Sequence, residues 1–101
     1  MPNRKRLADR RACENFNLEC LGQHYTATVS LFPDGHLAEI FLAAWKAGSD
    51  ADANARDSAV VCSIALQYGV PLDVLRPALA RDVQGKATSP LGVALDMLAK
   101  R

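Results

Sequence analysis

The chain has few of the groups that enzymes commonly use. Its 101 residues include two histidines, three cysteines and one tryptophan, and aromatics make up 6%. No stretch is long and apolar enough to form a membrane-spanning helix. The basic start, MPNRKR, is not followed by the apolar segment of a secretory leader, so a cytoplasmic protein is expected. Cys13, Cys20 and Cys62 are odd in number and lack paired spacing, which fits reduced thiols better than a disulfide framework. There is no Cys-x-x-Cys or His-x-x-His pair. Cys20 and His24 flank a turn, whereas a structural zinc needs four converging ligands. Cys62 lies in the most apolar segment, where burial raises a thiol pKa and makes it inert. Ser63 has no evident base. The expectation is a non-enzymatic chain with no catalytic constellation of its own, no metal and no cofactor.

What is present suffices for a core. Half the residues are hydrophobic and 23% are charged, a globular composition rather than a disordered one. The length suits one domain, of modest stability, that a homodimer contact would help. The net charge of +1 is unevenly spread. Residues 1–11 carry Arg4, Lys5, Arg6, Arg10 and Arg11 against Asp9, so the remainder is mildly acidic. Residues 1–13 therefore read as a flexible basic arm and 14–101 as a single folded domain.

Within that domain, ENFNLEC and YTATVSL alternate apolar and polar residues with period two, as half-buried strands do. Gly22 marks the hairpin turn between them. FPDGH makes a second turn, in which Pro33 sets φ and Asp34-Gly35 tolerates positive φ. A third strand runs from Leu37 to Ala44, apolar on both parities except at Glu39. Ser49 and Asp52 then form a capping-box-like helix start. This helix runs to about Tyr68, with Gly69 as its stop. Its apolar stripe is read as Ala53, Val60, Val61, Ile64 and Tyr68, with Asp57 on the same side. Val70-Pro71 opens a second helix, which should kink or restart at Pro77. RDVQGKAT reads as a polar loop, and Ser89-Pro90 caps a last helix with Leu91, Ala94, Leu95 and Leu98 facing inward. The fold class is α+β: a three-stranded antiparallel meander followed by three helices packed on one face.

Glu39 is the first candidate functional residue, because a carboxylate inside an apolar strand must be paired or hydrogen-bonded. It is expected to bond either Lys46 or the free N–H groups at the start of the long helix. Asp57 is read as a loop anchor, a partner of Arg56 or Arg81, or part of a pocket. Glu39, Lys46, Ser49 and Asp57 together are candidate ligand or partner contacts. Arg4, Lys5, Arg6, Arg10 and Arg11 are candidate nucleic-acid contacts through phosphates. Residues 58–80 also have a helix-turn-helix cadence, in which Asp73, Arg76 and Arg81 would face a groove. Against that stand the acidity of the domain outside the arm and a proline inside the second helix.

Four stretches, DGHLAEIFL, KAGSD, RDSAVVCSIALQYGVPLDVLRPAL and SPLGVALDML, resemble the TSCPD domain. That domain occurs at the C-terminal end of adenosylcobalamin-dependent ribonucleotide reductases and as small standalone proteins. The resemblance covers about Tyr25 to Leu98. The family's Thr-Ser-Cys-Pro-Asp stretch appears here as Thr88, Ser89 and Pro90 without the cysteine, and the paired cysteines of the reductase versions are absent. The chain is also too short for the reductase's barrel, cobalamin site and radical machinery. The resemblance thus implies a fold and a protein partner, a ribonucleotide reductase, rather than nucleotide reduction by this chain. The function expected is a non-catalytic accessory or regulatory interaction module, acting as a homodimer. Two alternatives stand beside it. One is a small DNA-associated protein using the arm and the 58–80 corner. The other is a small-molecule sensor with a pocket near Glu39, Ser49 and Asp57.

Overall fold

The computed structural model describes residues 3–7 and 13–100. Three strands, β1 (Cys13–Cys20), β2 (Gln23–Leu31) and β3 (Leu37–Ala44), precede three helices, α1 (Asp50–Gln67), α2 (Leu72–Ala78) and α3 (Pro90–Ala99). The sheet is an antiparallel meander in the order β1-β2-β3, and the fold is α+β as the residue pattern indicates. Leu21 and Gly22, at φ 50 and 80, turn β1 into β2, so that Cys20 pairs with Gln23 and Leu18 with Tyr25. The second turn closes through the Phe32 N–H, which donates to the His36 carbonyl at 2.8 Å.

Period two separates the sheet into two faces. Leu18, Cys20, Tyr25, Ala27, Val29, Ile40, Leu42 and Ala44 form the inner face, and α1 and α3 cover it with Ala55, Ala59, Cys62, Leu66, Leu91, Ala94 and Leu95. Ser49 is the N-cap of α1, its hydroxyl accepting from the Asp52 N–H at 3.1 Å. The other end closes as a Schellman motif: the Val70 N–H donates to the Ala65 carbonyl and the Gly69 N–H to the Leu66 carbonyl, with Gly69 at φ 95. Pro77 does not kink α2 or restart it, because the helix simply ends one residue later, at Ala78. The segment read as a polar loop is a small hairpin: Arg81 bridges Ala87, and the Asp82 side chain accepts from the N–H groups of Gln84 and Lys86. Ser89 caps α3 by accepting from the Gly92 N–H, with Pro90 in the first turn.

The stripe expected on α1 needs correcting. Val60, Val61, Ile64 and Tyr68 are exposed, as are Ala53 and Asp57, while Asp52, Ala55, Ala59, Cys62, Ser63, Leu66 and Gln67 are buried. Small side chains on α1, opposite Ala38 and Ala44 of β3, let helix and strand approach closely. The helix therefore turns its alanines inward rather than its valines.

Candidate functional site

The close approach of α1 to β3 has a polar component. The Ser63 hydroxyl accepts from the Ile40 N–H and donates to the Ile40 carbonyl, both at 2.9 Å. Gln67 donates from Nε2 to the Ala38 carbonyl at 3.1 Å. Asp52 Oδ1 accepts from the Ala44 N–H at 3.0 Å, and Oδ2 from the Gly48 N–H at 3.2 Å. The groups of Ala38, Ile40 and Ala44 lie on the side of β3 that faces away from β2, and Gly48 belongs to the turn that follows. An edge strand would otherwise leave them unpaired. The bonds from Ala44 and Gly48 hold the Asp52 carboxyl below its ordinary pKa, aided by Arg56 at 3.0 Å.

Glu39 belongs to the other face of the sheet and to the opposite end of α1 from the one expected. Its neighbours Ala38 and Ile40 bond Gln67 and Ser63, near the helix C-terminus. The residue that bonds the N–H groups around the helix start is Asp52. Glu39 is buried, and Oε1 accepts from the Ser30 hydroxyl at 3.2 Å. Ser30 in turn lies 3.3 Å from Cys13 Sγ. Arg4, Lys5, Arg6, Leu7 and Gln67 enclose a cavity of about 500 Å³ with Glu39. There the Arg4 Nε donates to Gln67 Oε1 at 2.6 Å, and the Lys5 N–H donates to the Gln67 carbonyl at 2.7 Å. Gln67 thus ties the N-terminal segment, α1 and β3 together.

Lys5 also borders a larger cleft, of about 750 Å³, between the β2–β3 turn and the α1–α2 junction. Its ammonium sits 4.3 Å from the centre of the Phe32 ring, a cation–π contact. On the same rim His36 Nδ1 lies 3.1 Å from Asp34 Oδ2, and bonds from the His36 backbone and ring lower the Asp34 pKa.

The remaining candidates do not converge on one place. Ser49 caps α1 at the end remote from Glu39, and its hydroxyl donates to the Lys46 carbonyl at 2.9 Å. Lys46 is exposed beside that turn, and Asp57 is exposed on the outer side of α1. A single pocket near Glu39, Ser49 and Asp57 is therefore not formed. The partners proposed for Asp57 are engaged elsewhere: Arg56 with Asp52, and Arg81 with Asp96 at 2.8 Å. Arg76 also pairs with Asp96, at 3.0 Å, so two of the residues assigned to a DNA groove hold α2 and the hairpin onto α3. This pairing lowers the Asp96 pKa to about 2, chiefly through the hydrogen bonds from Arg81. Arg10 and Arg11 lie outside the described residues. Cys20 and His24 point to opposite faces of the sheet. Burial raises the Cys20 thiol pKa and pushes that of Cys62 up to about 11.

Asp52, Ser63 and Gln67 act together to satisfy the outer backbone of β3, a role their residue types alone do not announce. A signal was present: Asp52, Arg56, Ala59, Ser63 and Gln67 recur every three or four residues, a polar and small stripe running the length of α1.

Away from buried Ser30 and Glu39, no described element packs on the outer sheet face, and Phe41 and Trp45 are exposed there. Rows of side chains cross it, with Thr28 donating to Asn15 at 2.7 Å and Thr26 to Asn17 at 3.1 Å. The Trp45 Nε1 donates to the Thr26 hydroxyl at 3.2 Å, and the indole stacks on His24 with ring centres 4.6 Å apart. Phe41 stands on the same face, opposite Thr28.

Fold and site together define a small α+β domain in which the buried polar side chains of α1 bond backbone. A vitamin B12-dependent ribonucleotide reductase of Rhodopirellula baltica is 36% identical to it over 74 residues. That match takes in 73% of the chain and 7% of the reductase. No family model matches the chain, and no solved structure does. The chain is thus related to a segment of a ribonucleotide reductase and spans a small fraction of that relative's length. Among the described residues no helix is long and apolar enough to cross a membrane.

Proposed function

We propose that the chain is a non-catalytic accessory domain of the TSCPD type that docks on a vitamin B12-dependent ribonucleotide reductase. The observation that carries this reading is the 74-residue similarity to a segment forming 7% of such a reductase. In the relative, that segment is joined to a much larger body. In this chain α1 presents an exposed apolar stripe of Val60, Val61, Ile64 and Tyr68, with Val61 68% exposed. Contiguous apolar surface of this kind marks an interaction site. The non-catalytic part is supported by Asp52, Ser63 and Gln67, the buried polar residues of α1, which are committed to backbone bonds.

The test mixes the purified chain with a vitamin B12-dependent reductase lacking its own copy of the segment, followed by size-exclusion chromatography with light scattering. The two should co-elute. Val61→Glu should separate them without lowering the melting temperature, and removal of residues 1–11 should leave the co-elution intact. A chain that elutes alone, as a dimer that Val61→Glu breaks, would assign the stripe to a second copy and overturn docking on the reductase. Failure of any association would overturn it as well.

A further inference from the structure

The outer sheet face has a composition that docking through α1 does not use. Phe41 is 48% exposed and Trp45 60% exposed, and the two stand four residues apart on one edge of the face. At the rise of a strand, that separates them by about 13 Å. The indole is held by its bond to Thr26 and by the stacked His24 ring. Between and beside the aromatics, the Asn–Thr pairs keep the surface level and polar. A second sheet packing here would bury those amides, which makes another copy of this chain a poor occupant.

Charge indicates what suits the face instead. At one end Arg4, Lys5 and Arg6 border the Glu39 cavity, and at the other Lys46 follows Trp45. Glu39 is buried, and Glu19 is the exposed acid on this face, 4.0 Å from His24. On a chain that is net acidic outside residues 1–11, Arg4, Lys5, Arg6 and Lys46 thus give the two ends of this face a cationic border. Flat exposed rings flanked by cations are what a single-stranded nucleic acid requires: bases stack on aromatic faces while phosphates meet lysine and arginine.

From this juxtaposition of an open sheet face, two exposed rings and a cationic border, we propose that the outer face binds single-stranded nucleic acid. A base stacks on Trp45, a second on Phe41, and the backbone runs toward Arg4–Arg6. Duplex is excluded because its bases are already stacked on one another. The helix-turn-helix corner takes no part, since Asp96 holds its arginines.

Trp45 is the one tryptophan of the chain, so its fluorescence reports the site directly. The probes are a twelve-nucleotide oligo(dT), the matching oligo(U) and a twelve-base-pair duplex, each titrated at 50 and 200 mM salt. Either single strand should quench Trp45, and the stronger of the two identifies the natural sugar. Affinity should fall about 20-fold across that salt range if three phosphates are engaged. By labelled-oligonucleotide anisotropy, Trp45→Ala or Phe41→Ala should each weaken binding about 5- to 100-fold. Arg76→Ala and Val61→Glu should leave binding unchanged, which separates this site from the DNA-groove reading and from docking through α1. Absence of quenching at 50 mM salt, equal affinity for duplex, or binding that survives Trp45→Ala would each overturn the proposal. So would a dimer that dissociates on Trp45→Ala, because the face would then be covered by a second copy.

Discussion

Ser63 illustrates how much one hydroxyl can do in this structure. It satisfies both the N–H and the carbonyl of Ile40 from a buried position on α1. Ser63→Ala would strand an interior donor while leaving the helix propensity no worse. The expected cost is about 1–3 kcal/mol in a urea-unfolding experiment, since a stranded buried group forfeits its full desolvation penalty. An unchanged midpoint would show that water replaces the hydroxyl. From sequence alone Ser63 is notable only for lacking a base, because its partner lies 23 positions away and no spacing rule links the two. Glu39 gives the reverse lesson. Its burial is legible from an apolar strand, but its surroundings depend on which end of α1 lies beside it, and that is decided by packing.

Among the elements, the strand faces and the inner face of α3 are legible in the sequence, and the buried face of α1 is not. The Leu37–Ala44 strand, the Ser49 cap, the Gly69 stop and the Ser89-Pro90 start each rest on local chemistry that the chain displays directly. The buried face of α1 escapes the residue pattern because hydrophobicity favours Val60 and Val61, whereas close helix–strand packing favours Ala55 and Ala59. The β1–β2 hairpin contains a local conflict of its own. Leu21 sits at φ 50 in a two-residue turn, where a branched apolar side chain is disfavoured and asparagine is at ease, and it is exposed. Leu21→Asn should raise stability by about 1 kcal/mol, seen as a higher thermal midpoint with the sheet register unchanged in cross-strand NOEs. A fall in midpoint would mean that the leucine packs in a way its exposure conceals.

For the molecule as a whole, Asp96 joins three parts: its own helix, α2 through Arg76, and the Arg81 hairpin. Its pKa of about 2 in the folded state lies below the ordinary carboxylate value of 3.8. A depressed folded pKa adds stability that is present above the unfolded pKa and is lost as pH falls through the folded one. Asp34 and Asp52 are shifted in the same direction. Stability should therefore be level from pH 7 to about 5 and decline toward about pH 2. Asp96→Asn should remove about 1–2 kcal/mol at neutral pH, allowing for partial solvent screening, and flatten the acid limb. Urea titrations at a series of pH values would settle this, and an unaltered slope in the variant would place the acid sensitivity at the other carboxylates.

The bonds that α1 makes to the outer backbone of β3 carry one more implication, for polymerisation. With Ser63, Gln67 and Asp52 occupying that rim, a strand from a neighbouring molecule has no free backbone to pair with along Ala38, Ile40 and Ala44 of β3. Fibril growth through the β3 edge is thereby blocked by the chain's own helix.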